Sequence, residues 1–265
     1  MDVTVFKGLK IVISTPTMNR QVCDQYAESL MLLTRYLNSC GIGYYYQRVK
    51  DTYLPRGRNV LAYGFLETDA DMQLSLDSDM SFDAMDVMRM LYHAVTNPEI
   101  EILGAPYPQK AIDWNRVIEA VKRNPDITPR QLECCASGSW TFKGLEGTVP
   151  NMGVPVQLSQ IGDQPPHVAT GILIVKRSLY ETMREKMPEL AYKDGQNGRT
   201  AWRFFHCDMD HTGRWIGEDT WFCRRWHELG GKIWLAPWVK SEHFGVVSFP
   251  GEVSQIMDGG MELPA

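Results

Sequence analysis

Two carboxylates stand two residues apart in Leu74-Ser75-Leu76-Asp77-Ser78-Asp79-Met80, directly behind a short apolar run. In an open parallel sheet, ligands bind outside the carboxyl ends of the strands. Asp77 and Asp79 would therefore stand where a ligand arrives. Carboxylate oxygens are hard ligands that suit Mg²⁺ or Mn²⁺, ions commonly shared with substrate phosphates. The same triplet also occurs as two solvated loop acids, and a motif this short does not decide between the two. A second group is Gly217-Glu218-Asp219-Thr220. Its acids open a helix, which any helix favours; the functional alternative is a general base beside a hydroxyl. The third is His243, in Ser241-Glu242-His243-Phe244-Gly245. It is either a satisfied structural imidazole or a neutral ligand for a Mn²⁺-like ion.

The elements that must position these residues can be read from periodicity. Apolar runs predict strands at 9–14, 43–49, 72–76, 100–105, 168–176 and 232–236. Helical spacing predicts helices at 22–37, 59–66, 83–95, 114–121, 178–187 and 217–229. Strands alternating with helices argue for a parallel sheet covered on both faces. From 124 to 163 the pattern breaks up, with β character at 154–158. Asp194-Gly195-Gln196-Asn197-Gly198-Arg199 is turn chemistry, a loop able to close, and 249–265 reads as a tail. No internal repeat or low-complexity linker interrupts the chain. The expectation is one mixed α/β domain over 1–265, with a nucleotide half at about 1–110, an acceptor half at about 111–250 and a tail at 251–265.

With 265 residues, 44% hydrophobic and 22% charged, the chain is an ordinary globular one, neither disordered nor fibrous. A formal charge of -5 argues against a general nucleic-acid coat, while leaving room for a local basic strip at Arg123, Arg130, Arg224 and Arg225. No run of 18 apolar residues is present and the N-terminus has no signal-peptide pattern, so no membrane partner is expected. Six cysteines without a CxxC pair read as reduced thiols in a cytoplasmic compartment, with the vicinal Cys134-Cys135 as two buried thiols. Residues 206–211 (HCDMDH) have metal-friendly types but match no zinc spacing, so they read as structural or acceptor-side. Trp140, Trp202, Trp215 and Trp221 are core residues or stacking platforms for sugars.

Taken in order, these pieces resemble a metal-dependent glycosyltransferase of the GT-A fold, closest to compact phage and bacterial enzymes. Ser14-Thr15-Pro16-Thr17 looks like the family's nucleotide-contacting first loop. Residues 56–62 (RGRNVLA) resemble its "aRN-x-la" helix, and 104–110 (GAPYPQK) the loop after the next strand. Residues 169–177 (ATGILIVKR) resemble the "tG-x-x-l-ikR" strand. Glu218-Asp219, Phe222-Cys223-Arg224-Arg225, Gly230-Gly231-Lys232-Ile233 and His243 resemble the closing elements. The likeness spans residues 9–245. It implies a GT-A-like, Rossmann-like, mixed and mainly parallel sheet flanked by helices. It also implies that Asp79 and His243 ligate Mn²⁺ or Mg²⁺, with Asp77 on the ion or the donor ribose. Thr15, Pro16, Thr17, Asp51, Arg58, Asp77 and Ser78 would hold a nucleotide-sugar. Asp219, or alternatively Glu218, would be the catalytic base.

The chemistry agrees with the residue types. As a sugar leaves a nucleoside diphosphate, negative charge gathers on the diphosphate, where a divalent ion and an Arg stabilise it. A carboxylate near the acceptor hydroxyl takes its proton. The expected donor is a UDP-sugar, and the acceptor hydroxyl belongs to a glycan, a protein or a hydroxymethylated base in phage DNA. The location would then be cytoplasmic, the host cytoplasm if phage-encoded. Two alternatives compete: a nucleotidyltransferase acting on a sugar phosphate, disfavoured because 14–20 (STPTMNR) lacks a Gly-rich basic loop, and a non-catalytic nucleotide- or glycan-binding module.

Overall fold

Which strand residues face which side decides the architecture. The computed structural model describes residues 2–137, 139–147, 151–193 and 198–247. Its first half runs β1 (Lys10–Thr17), α1 (Asp24–Ser39), β2 (Gly43–Lys50), α2 (Leu54–Leu66), β3 (Met72–Leu76), β4 (Met80–Phe82), α3 (Ala84–Thr96), β5 (Ile102–Gly104), α4 (Trp114–Arg123) and α5 (Pro129–Ala136). The second half runs β6 (Phe142–Lys143), β7 (Val156–Leu158), β8 (His167–Val168), β9 (Ile172–Lys176), α6 (Arg177–Lys186), β10 (Ala191–Lys193), β11 (Thr200–Trp202), β12 (Asp208–Met209), β13 (Trp215–Ile216), α7 (Glu218–Glu228), β14 (Ile233–Leu235) and β15 (Ser241–His243). Seven strands make one sheet in the order β2-β1-β3-β9-β5-β14-β7. Five of them point one way, and β9 and β7 run against them.

Alternation along the strands feeds two cores. Ile11, Ile13, Leu74 and Ile174 face α1 and α3, packing with Leu33, Leu37, Val87 and Leu91. Val12, Leu173 and Val175 face the other way, onto Phe65 of α2, Tyr180 of α6 and Phe222 of α7. Strands buried on both faces require the near-continuous apolar runs seen at 9–14, 72–76 and 172–175. The sheet is therefore mixed, mainly parallel and flanked by helices, as the resemblance implied; the alternation predicted its parallel part but not the reversed β9 and β7.

Several boundaries move for physical reasons. The run 168–176, predicted as one strand, breaks into β8, which pairs with β6, and β9, which enters the sheet. Between them the backbone at Gly171 presses on Tyr107, whose hydroxyl would lie 2.6 Å from a Cβ there. Because Gly171 sits at the carboxyl end of β3, β9 can only start there and run backwards. Helix α2 begins at Leu54 rather than Asn59, with Pro55 in its first turn, where a missing N–H is harmless. Helix α5 falls inside the stretch read as irregular, and its capping box between Thr128 and Gln131 was a readable signal. Neither α4 nor α5 buries a residue, so Cys134 is exposed, not buried as expected. Residues 194–197 of the predicted loop and the predicted tail at 249–265 lie outside the described residues. Among the described residues, no helix is long and apolar enough to cross a membrane.

One side chain closes the carboxyl end of α2. The Arg177 guanidinium donates to the carbonyls of Ala70 (2.8 Å), Leu66 (3.3 Å), Phe65 (3.2 Å) and Thr68 (2.8 Å), and stacks 4.7 Å over the Phe65 ring. The Phe65 and Leu66 carbonyls belong to the last turn of the helix, which has no intrahelical donors of its own, and the Thr68 and Ala70 carbonyls to the loop that follows it. Arg177→Leu is expected to cost about 3 kcal/mol, from lost charged hydrogen bonds and orphaned carbonyls. That loss corresponds to a fall in melting temperature on the order of 6–12 °C. Calorimetry checks it, and a fall under about 2 °C would show that water caps this end equally well.

Candidate functional site

The predicted residues collect at the carboxyl end of the sheet. Residues of β1 come first. Thr15 and Thr17 are buried, and their hydroxyls are engaged within the fold. The Thr15 hydroxyl bonds the Tyr26 phenol, and Thr17 Oγ1 donates to the Val49 carbonyl at 3.0 Å. Pro16 is buried between them. Asp51 follows β2, its amide donating to the Thr17 carbonyl at 3.0 Å. Its carboxylate takes two bonds from Arg56, at 2.6 and 3.1 Å, and one from the Tyr53 amide at 2.9 Å. Asp51 lines a cavity of about 620 Å³ between β2, α2 and the β10–β11 hairpin.

The first acid of the triplet is held from inside. Arg58, in α2, is only 4% exposed, and it grips Asp77 through two parallel bonds of 3.0 Å. Its Nε reaches Glu218 Oε1 at 3.3 Å. Such a fork-to-fork pair fixes direction as well as distance. The Asp77 amide donates to the Gly171 carbonyl at 2.9 Å, so both ends of the residue are anchored. Beyond Glu218, Asp219 is half-buried in the first turn of α7. Burial raises its carboxyl above the ordinary range, against the opposing hydrogen bond from the Thr220 amide at 2.7 Å. Glu218 is committed to Arg58, whereas no basic side chain within salt-bridge distance of Asp219 is found among the described residues.

The second acid faces outward. Two short strands that the sequence reading missed bring it to its partner: β4 and β15 pair antiparallel with His243 opposite Met80, and the Phe244 amide donates to the Asp79 carbonyl at 2.8 Å. His243 Nδ1 lies 2.9 Å from the Pro108 carbonyl, which can only accept, so Nδ1 carries the proton. In the neutral ring, Nε2 then keeps its lone pair, and it faces Asp79 Oδ1 at 3.7 Å. A metal-binding His commonly donates its other N–H to a carbonyl in this way. Tyr107 packs edge-on against the ring, centroids 5.3 Å apart, and its buried hydroxyl accepts from the Gly171 amide at 3.0 Å. Lys110 closes the group, its ammonium paired with Asp79 Oδ2 and its stem lying against Gly245.

The structure thus joins Asp77, Arg58 and Glu218 in one cluster and Asp79, His243 and Lys110 in another. Among the described residues no three His, Cys, Asp or Glu side chains gather as a metal cage. Asp79 and His243 nonetheless suit a divalent ion, which typically takes one or two carboxylates and completes its shell with water and substrate phosphate. Asp77, turned to Arg58, is not beside them. Ser78 contributes its carbonyl to the Cys23 amide at 2.9 Å. Lys110, Tyr107 and Gly171 escaped the sequence reading as site residues. A basic residue five positions beyond a strand end was the available signal for Lys110.

Other candidates resolve into structure. Asp210 of the 206–211 segment accepts from the Thr212 and Arg214 amides and both side chains, tying the β12–β13 turn. Trp221 is buried in the core, Trp202 lies under Arg184 at 3.9 Å, Trp140 is 40% exposed and Trp215 is 68% exposed. In the suggested basic strip, Arg224 and Arg225 both engage Glu228, and Arg130 engages Glu133 and Glu242.

No family model matches the chain, and no curated protein matches it. Among the solved structures that are loosely similar to it are the following three. A197 from STIV is 14% identical, with 90% of this chain and 87% of that chain covered and a TM-score of 0.47. A glycosyltransferase involved in glycosylation of the major capsid of PBCV-1 is 13% identical, covering 67% and 68%, at a TM-score of 0.33. The inositol-1-phosphate CTP transferase from T. maritima is 12% identical, covering 96% and 98%, at a TM-score of 0.41. Overlaps this loose leave the function to the chain's own residues.

Proposed function

We infer that this chain is a glycosyltransferase that moves a sugar from a nucleoside diphosphate, UDP being the favoured donor, to an acceptor hydroxyl with a divalent ion. The observation that carries this reading is the division of labour between two acids two residues apart. Asp77 is neutralised by a buried Arg58. Asp79 stands at the surface beside an imidazole whose tautomer leaves Nε2 open. Structural acids have no need of such an arrangement, whereas a diphosphate site does.

Asp79 and His243 would hold Mn²⁺ or Mg²⁺. When bound, the ion supplies positive charge to the leaving diphosphate. Lys110, already on Asp79, lies where it can turn to the same phosphates. Asp77 and Thr17 border the nucleoside end, with Arg58 keeping Asp77 in place. In transfer with inversion, the acceptor oxygen attacks the anomeric carbon as the bond to the phosphate oxygen breaks. The diphosphate leaves with that electron pair, and the hydroxyl proton passes to the Asp219 carboxylate. A carboxylate whose proton affinity burial has raised suits this task, because it holds the proton it receives more firmly than an exposed aspartate would.

Two outcomes are expected. Asp79→Ala should lose Mn²⁺ binding by calorimetry and at least about 100-fold in transfer, the scale of one electrostatic stabiliser. Full Mn²⁺ affinity in that variant would remove Asp79 from the ion site. Asp219 yields a pH test. Transfer should rise with pH through an apparent value above the ordinary aspartate value of about 3.9. Asp219→Asn should abolish that limb and cost about 10²–10⁴-fold, with UDP affinity kept. Because the folded pKa is raised, ionising Asp219 weakens the fold as pH climbs through it. Asp219→Asn should therefore melt higher than wild type at pH 8, an advantage that disappears at pH 4. A variant that melts lower at both pH values would mark the residue as structural.

A further inference from the structure

A second cavity, of about 580 Å³, opens on the far side of the start of α7. We propose that it is a subsite for a neutral saccharide, the acceptor chain of the transfer, with Trp215 as its stacking platform. The assignment rests on the transferase reading above and extends it to the acceptor. The volume falls within the range of about 300–1,000 Å³ typical of small-ligand sites.

Three features select this ligand class. The first is the indole. Trp215 is 68% exposed at the rim, on β13 of a hairpin whose turn is tied by the four hydrogen bonds to Asp210. A rigid indole face carries partial negative charge and attracts the partly positive C–H face of a pyranose ring. The second is charge. The lining holds three basic side chains (Lys143, Arg214, Arg224) and three acidic ones (Asp163, Asp210, Glu228). Arg214 pairs with Asp210 at 3.1 Å and Arg224 with Glu228 at 3.0 Å. Burial keeps His167 neutral, its pKa pushed down to about 4. With His211 and His227 also in the lining, such a wall offers many hydrogen-bonding groups, and its Lys, Arg, Asp and Glu charges balance. It suits a polyhydroxyl ligand and gives a polyanion such as DNA no advantage.

The third feature is position. Gly217 and Thr220 line the cavity, and they bracket Asp219 in the chain. A Cβ at Gly217 would stand only 3.2 Å from Asp219 Oδ1, so a single backbone segment separates the cavity from the proposed base. A saccharide stacked on Trp215 would have a route across Gly217 to that carboxylate.

The test is titration of the intact chain with maltohexaose, cellohexaose, chitohexaose and mannohexaose, read by saturation-transfer NMR and calorimetry, with UDP affinity measured in parallel. At least one oligosaccharide should bind. Trp215→Ala should weaken it by tenfold or more, Trp215→Phe should keep most of the affinity, and UDP affinity and melting temperature should stay unchanged in both. The proposal is overturned if no oligosaccharide binds, if Trp215→Ala binds as well as wild type, or if Trp215 instead controls affinity for a heparin hexasaccharide or duplex DNA. Loss of saccharide binding with UDP binding intact sinks the subsite alone. Trp215-dependent saccharide binding by a chain with no UDP affinity sinks the transferase reading and keeps the subsite.

Discussion

The buried guanidinium of Arg58 is the interaction on which the arrangement of this molecule turns. A charge removed from water is costly unless it is paired and hydrogen-bonded. Arg58 meets that requirement only when three separate pieces of chain arrive together: α2, the end of β3 with Asp77, and the start of α7 with Glu218, 160 residues away in sequence. Misplacing either carboxylate would leave the guanidinium short of a partner in a low-dielectric interior. The pairing therefore specifies the approach of the first and second halves more strongly than apolar packing alone, which tolerates sliding.

The same requirement explains why neighbouring acids behave differently. Asp77 is neutralised from within by a buried guanidinium. Asp79, two residues on, is left to an imidazole and an ammonium. The Lys110–Asp79 pair lies at the surface, where water screens it, so it is not held by a deep electrostatic well; in the proposed function a divalent ion would take its place. Asp219 is the third case. Among the described residues no basic side chain comes within salt-bridge distance of it, so burial dominates and its proton affinity rises. Three environments within one end of the sheet give one residue type an internal ion pair, a surface ion pair and a buried carboxyl of raised proton affinity.

Much of this could be read in the sequence because it depends on local pattern. The apolar runs at 9–14 and 72–76 place the β1 and β3 ends, and the acids after 76 fall where a parallel sheet meets its ligands. What stayed hidden depends on distant pairing. Strands β4 and β15 have three residues each, too short for period-two alternation to register, yet their pairing alone puts His243 beside Asp79. The reversal of β9 has no signature in its apolar run, which reads the same in either direction. It follows from where the chain re-enters, at Gly171, and from the Tyr107 hydroxyl that only a glycine there can approach. Lys110 was visible as a charge but not as a partner, since its role exists only after the 104–110 segment folds back over the triplet.

Helix α2 also links the Asp77–Glu218 cluster to the β12–β13 hairpin through consecutive residues. Successive side chains on a helix diverge by about 100°, so Arg58 and Asn59 cannot point at the same target. Arg58 turns to the acids of the donor end. Asn59, only 5% exposed, turns to Phe205 and makes both possible backbone bonds with it, each 2.8 Å long. Phe205 leads directly into the β12–β13 hairpin that carries Trp215, and from there into α7 with Asp219. The Asp77–Glu218 cluster and the β12–β13 hairpin are thus referred to the same turn of one helix, whose carboxyl end is itself locked by Arg177. A displacement of α2 would move the neutralising charge and the hairpin root together. In the proposed transfer, that common frame would hold donor and acceptor in register.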